Sequence, residues 1–258
     1  MKKTIHIMML IAALTIAWGC SSDSSDGGNY TFTTSTARPD WAVDWHNNEP
    51  APNWTAPDQN LYEHSMFFII TLSDNLIPFS NEDDVMAVFI GDECRSVAKA
   101  SPLADRSKVY FVHNVRGNDT DKEVFFTLKY YSGGLQQTFV LDGSNQYVPN
   151  LTLNLDNDVL NLMAGSTKYP CQMVIDPILS ENLPFTPSPD DLIAVFVGNE
   201  CRGVARAQES TSMVIYGRHD GEEGTLRYYS AEQKGIYTFN EKLTIQALSQ
   251  PIEVPLSF

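Results

Sequence analysis

The feature that most constrains this chain is internal, because one long stretch of it is written twice. Tyr62 to Ala100 aligns with Tyr169 to Ala207 without a gap, at a constant offset of 107, and 18 of the 39 positions are identical. The match is densest where AVFIGDECRSVAKA (Ala87 to Ala100) returns as AVFVGNECRGVARA (Ala194 to Ala207). Further on, TLKYYS (Thr127 to Ser132) returns as TLRYYS (Thr225 to Ser230) at an offset of 98, so nine residues are lost between the blocks. A loop can absorb such a loss. Thr138-Phe139 and Thr238-Phe239 extend the match at lower specificity. A repeat of about a hundred residues is a whole domain, not one turn of a solenoid.

Within each unit the apolar runs are short and are separated by Gly, Asn, Asp or Pro. In the first unit Phe67 to Leu72, Val85 to Ile90, Cys94 to Ala100, Val109 to Val115, Val124 to Tyr131, Thr138 to Leu141 and Val148 to Leu155 read as strands. No segment carries a helical apolar period. The expectation is an all-β chain of two tandem β-sandwich (immunoglobulin-like) domains, over residues 38–160 and 161–258.

The repeated stretch also predicts a register. With Gly91-Asp92 as a two-residue turn, Phe89 faces Cys94, Val88 faces Arg95 and Asp84 faces Lys99. The second copy sets Asp191 opposite Arg206 in the same way. One face then carries Val85, Ala87, Phe89, Cys94, Ser96 and Ala98, small and apolar enough to pack on a second sheet. The other carries Met86, Val88, Glu93, Arg95 and Val97.

The beginning of the chain is of another kind. Met1 to Gly19 reads MKKTIHIMMLIAALTIAWG, two lysines, an apolar run and then small residues before Cys20, as a secretory signal does. It is too short and too poorly flanked for a stable transmembrane helix. IAWGC resembles the lipobox of bacterial lipoproteins, which implies cleavage before Cys20, acylation of its thiol and attachment to a membrane through lipid. Residues 20–37 begin with the polar, acidic SSDSSDGG and read as a flexible tether. Of the 17 Lys and Arg, Lys2 and Lys3 leave with the signal, so 15 basic side chains stand against 32 acidic ones, a net charge of −17. A field of that sign repels phosphate backbones, which excludes nucleic acid as a partner.

Candidate chemistry is sparse. Glu93 with Arg95, and Glu200 with Arg202, place an acid and a base on one side of a strand in each copy. They read either as a duplicated polar ligand clamp or as ion pairs that hold the hairpin. With Cys20 acylated, Cys94, Cys171 and Cys201 remain, and two readings stand: a Cys171–Cys201 disulfide within the second unit, or three buried thiols. Trp41, Trp45 and Trp54 lie in a proline-rich stretch, Arg38 to Tyr62, that has no counterpart before the second unit. Flat rings there either stack on sugars or anchor the segment onto a domain. Asn154, Asp156 and Asp158 lack the spacing of a calcium loop, and His64 with Cys94 is too few ligands for a metal. No Gly-x-Ser-x-Gly, His-Glu-x-x-His, Cys-x-x-Cys or phosphate-cradling glycine loop occurs, and no cofactor or enzymatic activity is expected.

The D-D-x-x-A-V-F-x-G-x-E-C-R-x-V-A pattern is similar to a repeat of Bacteroidetes surface lipoproteins of uncharacterised function. Pro39 to Trp41, Pro52 to Trp54 and Tyr62 to Met66 resemble parts of the same pattern. The resemblance implies a lipid-anchored outer-membrane protein facing the outside of the cell, with a periplasm-facing placement as the alternative. The function expected is a non-catalytic binding or adhesion module. The alternatives are a glycan-binding accessory lipoprotein of a polysaccharide-uptake system, using the three tryptophans, and a structural subunit of a surface assembly. Its partners are then the membrane and either a glycan or another surface protein.

Overall fold

The computed structural model describes residues 26–102, 107–155, 165–207, 212–248 and 250–258. The signal segment 1–19, Cys20, Asp156 and Asp158 lie outside the described residues. Two short strands, β1 (Asp26–Gly27) and β2 (Tyr30–Thr34), come first. The first unit then runs through β3 (His64–Thr71), β4 (Val85–Ile90), β5 (Glu93–Lys99), β6 (Ser101–Pro102), β7 (Val109–Gly117), β8 (Phe125–Ser132), β9 (Gln137–Gln146) and β10 (Thr152–Leu155). The second runs through β11 (Cys171–Leu179), β12 (Leu192–Val197), β13 (Glu200–Arg206), β14 (Met213–Gly217), β15 (Glu222–Ser230), β16 (Gly235–Ile245) and β17 (Ile252–Leu256).

The two units are all-β sandwiches of one design. The first faces sheet β10-β3-β7-β6 against sheet β5-β4-β8-β9, and the second faces β17-β11-β14 against β13-β12-β15-β16. In each, the last strand lies parallel to the first, β10 on β3 and β17 on β11. Alternation drives the burial: Met66, Phe68 and Ile70 point inward from β3, as Met173 and Ile175 do from β11. Phe68 stacks on Phe126 in the first core at 5.6 Å, and Tyr228 anchors the second.

The hairpin register differs from the expectation, and a bulge is the reason. Phe89 pairs with Cys94 as expected, but Val88 then pairs with Ser96, and Val85, not Asp84, pairs with Lys99. The second unit shifts identically, with Val195 on Gly203 and Leu192 on Arg206. Gly91 and Gly198 take φ of +59° and +60°, which suits the first position of a tight hairpin turn. One extra residue per copy, Arg95 or Arg202, drops out of the ladder, so Cys94 and Ala98, expected on one face, point to opposite sides of the sheet. Met86, Val88, Ile90 and Ala98 belong to the core, while Phe89 and Cys94 lie on the outer side. Asp84 and Asp191, expected opposite Lys99 and Arg206, are instead buried, with Val85 and Leu192 in those places.

The edge strands β9 and β16 are both covered. The tether expected over residues 20–37 ends earlier: Tyr30 to Thr34 pairs with β16 from Phe239 to Gly235, which lengthens the second unit's sheet to six strands. On β9, the linker takes the same place, with Ser166 bridging Phe139. An open edge would template pairing with other chains, and both are closed from within this chain. Phe139 matches Tyr237, since they sit opposite Tyr130 and Tyr228, so the apparent Thr-Phe repeat is two residues out of register.

Candidate functional site

The repeated Glu-Cys-Arg builds one corner in each sandwich, where the hairpin's second strand approaches the opposite sheet. In the first unit Arg95 sends two nitrogens to Asp121, at 2.8 and 3.3 Å, and donates to the Arg116 carbonyl at 3.2 Å. Glu93 pairs with Arg95 at 3.1 Å and accepts the Tyr62 hydroxyl, whose ring lies under the guanidinium. In the second unit Arg202 pairs with Glu222 at 3.1 and 3.2 Å, with Glu200 at 3.2 Å and with the Tyr216 carbonyl at 3.1 Å. Tyr169 donates to Glu200 at 2.6 Å and lies under Arg202. Both arginines are buried. Two-pronged guanidinium–carboxylate pairing fixes orientation as well as charge. Glu93, Arg95, Glu200 and Arg202, read as a possible ligand clamp, are thus bound to each other and to their own unit.

Burial and the Glu200 hydrogen bond push the Tyr169 hydroxyl well above the ordinary tyrosine range. Burial alone would raise Glu200. The Tyr169 hydrogen bond with the charges of Arg202, Arg218 and Lys168 outweighs it and holds the carboxyl below its usual value. Next to the corner, Gly203 is required by close approach, because a Cβ there would sit 2.5 Å from the Val214 carbonyl. The first unit has Ser96 at that place, hydrogen-bonded to His113 at 3.1 Å. His113 is fully buried, and burial lowers its imidazole to about 3.

The three tryptophans are spread along the molecule, not gathered. Trp41 meets Phe196 edge-on at 5.5 Å on the second unit, and Trp54 meets the equivalent Phe89 at 6.1 Å on the first. Behind each phenylalanine stands a cation, Arg227 at 4.1 Å and Lys129 at 4.4 Å from the ring centre. Pro39-Asp40-Trp41 and Pro52-Asn53-Trp54 therefore dock one Trp on each copy of the hairpin. Trp45 is a wedge between the units, touching Tyr169 at 5.6 Å and Tyr216 at 4.7 Å while its carbonyl accepts from Gln137 of the first unit. Lys168 donates to the carbonyls of Asp44 and His46, and Glu49 accepts from Thr138 and Thr167. The stretch, read either as a sugar platform or as an anchor onto a domain, is a strap that docks its tryptophans on both units.

Among the described residues the three cysteines, Cys94, Cys171 and Cys201, are free. Cys171 donates to Asp220 at 3.2 Å from within the second core, and burial with that hydrogen bond raises its thiol to about 11. Cys201 donates to the Gly203 carbonyl and packs outside the sheet with Phe196 and Trp41. Of the two readings, a Cys171–Cys201 bridge or free thiols, the structure has the free thiols: Cys201 pairs with Phe196 on the outer side of the second unit's larger sheet, while Cys171 faces the core. Cys94 is the outward equivalent in the first unit, its thiol raised by burial.

Three further features stand outside the repeated corner. Glu63, His64 and Asp119 bring ligand atoms within 4.8 Å of one another, but Lys122 already pairs with Asp119 at 3.3 Å. A cavity of about 390 Å³ opens between β16 and β17, lined by Leu226, Phe239 and Leu256 with Glu241 and Glu253 at its rim. On the outer face of β3 and β7, Phe67 is 39% exposed and Val112 46% exposed, with Ile69 directly opposite Val112. Two of the three matching positions of the second unit are polar, Asp176 for Ile69 and Ser212 for Val112, and Asp176 accepts from Ser212 at 2.6 Å, while Val174 stands for Phe67. Sequence reading missed this face because alternation looks alike whether the outer residues meet water or a partner.

Comparison with known proteins gives no counterpart: no family model, curated protein or solved structure matches the chain. Among the described residues no helix is long and apolar enough to cross a membrane.

Proposed function

We propose that this chain is a non-catalytic, lipid-anchored cell-surface protein that works as a binding or adhesion module, and that the outer face of β3 and β7 in the first unit makes the contact. The observation that carries this reading is the divergence of the two copies. The fold is satisfied in the second unit with Asp176 and Ser212 on that face, so the sandwich does not require Ile69 and Val112 in the first, where Phe67, 39% exposed, extends the apolar surface. Apolar side chains kept in water on a sheet face suit the apolar patch of a protein partner. The acid–base clusters that would invite a catalytic reading are tied up inside each unit.

Crosslinking on intact cells tests the proposal. The wild-type chain is expected to give a defined crosslinked product, and the double variant Phe67→Lys with Val112→Lys is expected to lose it while keeping the wild-type melting curve. A chain that crosslinks to nothing, or a variant that crosslinks as before, refutes the reading.

A further inference from the structure

We infer that the C-terminal unit lies next to the membrane and that the first unit in sequence is held outward, away from it. This inference rests on the reading of Cys20 as the anchored residue, and goes beyond it by fixing the order of the units.

The order follows from where the chain enters the fold. Its first strands do not belong to the first unit: β2 pairs with β16 over five residues, and β1 pairs back onto β2. Asp26 therefore lies on the edge of the second unit's sheet. Only five residues, Ser21 to Ser25, lie between it and Cys20, a reach of about 20 Å at full extension.

The direction of entry is also fixed. Thr34 pairs with Gly235, next to the β15–β16 turn, so β2 runs towards that end of the sandwich. β1 is antiparallel to β2, so the chain arrives at Asp26 from that same end. The first unit is attached at the opposite end, where Tyr169 and Tyr216 receive Trp45. The strap Ser35 to Tyr62 then climbs the whole molecule. Ser35 binds the Lys234 carbonyl and Arg38 the Asp190 carbonyl at the low end. Trp41 sits on Phe196, Lys168 holds Asp44 and His46 at the junction, and Trp54 sits on Phe89. Tyr62 closes the far corner on Glu93.

A sandwich whose strands are eight or nine residues long stands roughly 25–30 Å high. Two in series lift the far end about 50–60 Å above the end where the chain enters. That far end carries Leu61, 67% exposed, and Phe125, 55% exposed. A short tether at the second unit presents the face of Phe67 and Val112 well clear of the lipid.

Energy transfer in vesicles tests the order. The full chain with its own acyl group is reconstituted into phosphatidylcholine vesicles that hold an acceptor dye on the lipid headgroup. A donor dye is attached through an encoded azide side chain at Lys234, on the β15–β16 turn, or at Asp92, on the β4–β5 turn; both positions are exposed. Transfer from position 234 is expected to exceed that from position 92 several-fold. Equal transfer, or stronger transfer from position 92, overturns the inference while leaving the anchor intact. Flotation with the vesicles is read in parallel: wild type that fails to float, or Cys20→Ala that floats as well as wild type, removes the anchored reading and the inference with it.

Discussion

Tyr130 donates its phenolic hydrogen to Asp84 at 2.8 Å, and Tyr228 does the same for Asp191 at 2.7 Å. Each buried carboxylate also takes the backbone N–H that opens the next turn, from Gly133 or Ala231. Asp191 has further donors in the Ser188 N–H and hydroxyl. Removing one phenol leaves a buried acceptor short of a donor, a loss of about 1–3 kcal/mol. Tyr130→Phe is expected to cost more than Tyr228→Phe, because Asp84 lacks the serine. Urea denaturation of both variants checks the ranking.

The arginine corners predict that charge alone does not suffice. Arg202→Lys keeps a cation but loses the two-pronged contact with Glu222 and leaves part of a buried network unmet. A destabilisation of about 2–4 kcal/mol is expected, against 3–5 kcal/mol when a buried pair is broken outright, as in Arg202→Ala. A lysine variant as stable as wild type would contradict this assignment.

Trp45 joins the two sandwiches through Tyr169 and Tyr216. Trp45→Ala removes a half-buried ring, and about 2–3 kcal/mol of coupling is expected to go with it, somewhat less than for a fully buried tryptophan. Calorimetry is expected to show the heat absorption of the wild type resolving into two separate transitions in the variant. An unaltered single transition would show that other contacts hold the units together.

His113 makes stability depend on pH in a range where few other groups titrate. Its folded value, about 3, lies below the ordinary histidine value, so the unfolded chain binds a proton that the native core refuses. Stability is then full above about pH 6.5 and is lost as pH falls from there towards 3, by up to about 1.4 kcal/mol per pH unit. The second unit has Met213 at the matching position. His113→Met is expected to flatten the decline between pH 6.5 and 4.5, measured by denaturant midpoints across that range.

Thiol counting addresses the cysteines. The protein unfolded without reductant is expected to show all three thiols of Cys94, Cys171 and Cys201. A count of one would restore the bridge that the bulge rules out.

The strands were legible from sequence because short alternating runs end at Gly, Asn, Asp and Pro, and the duplication made each assignment twice. The bulge was not legible. Arg95 in the ladder and Arg95 out of it read identically as letters, and the added residue separates Cys94 from Ala98, which alternation alone sets on one face. Ser21 to Gly28 reads as a polar start, yet the TFTT that follows Tyr30 gives no hint that its partner strand lies two hundred residues away. Pairing between strands so far apart in one chain leaves no local trace. Trp45 could be recognised as an anchor but not as one set between two units, since Tyr169 and Tyr216 come near it only in the folded chain.

The early strand β2 has a consequence for how the protein is made. Phe32 must wait for Tyr237, so the first-synthesised strand is among the last to be placed. Closing so long a loop is slow but adds little entropic cost beyond that of a shorter one. The first sandwich can complete its core while β16 is still being made, and the second stays open at one edge until the chain is nearly finished. Tyr30 then settles against the ring of the terminal Phe258, so the two ends of the fold meet in one core. A break in the connector would therefore not release two self-sufficient halves, because the fragment carrying β11 to β17 would lack the strand that seals it.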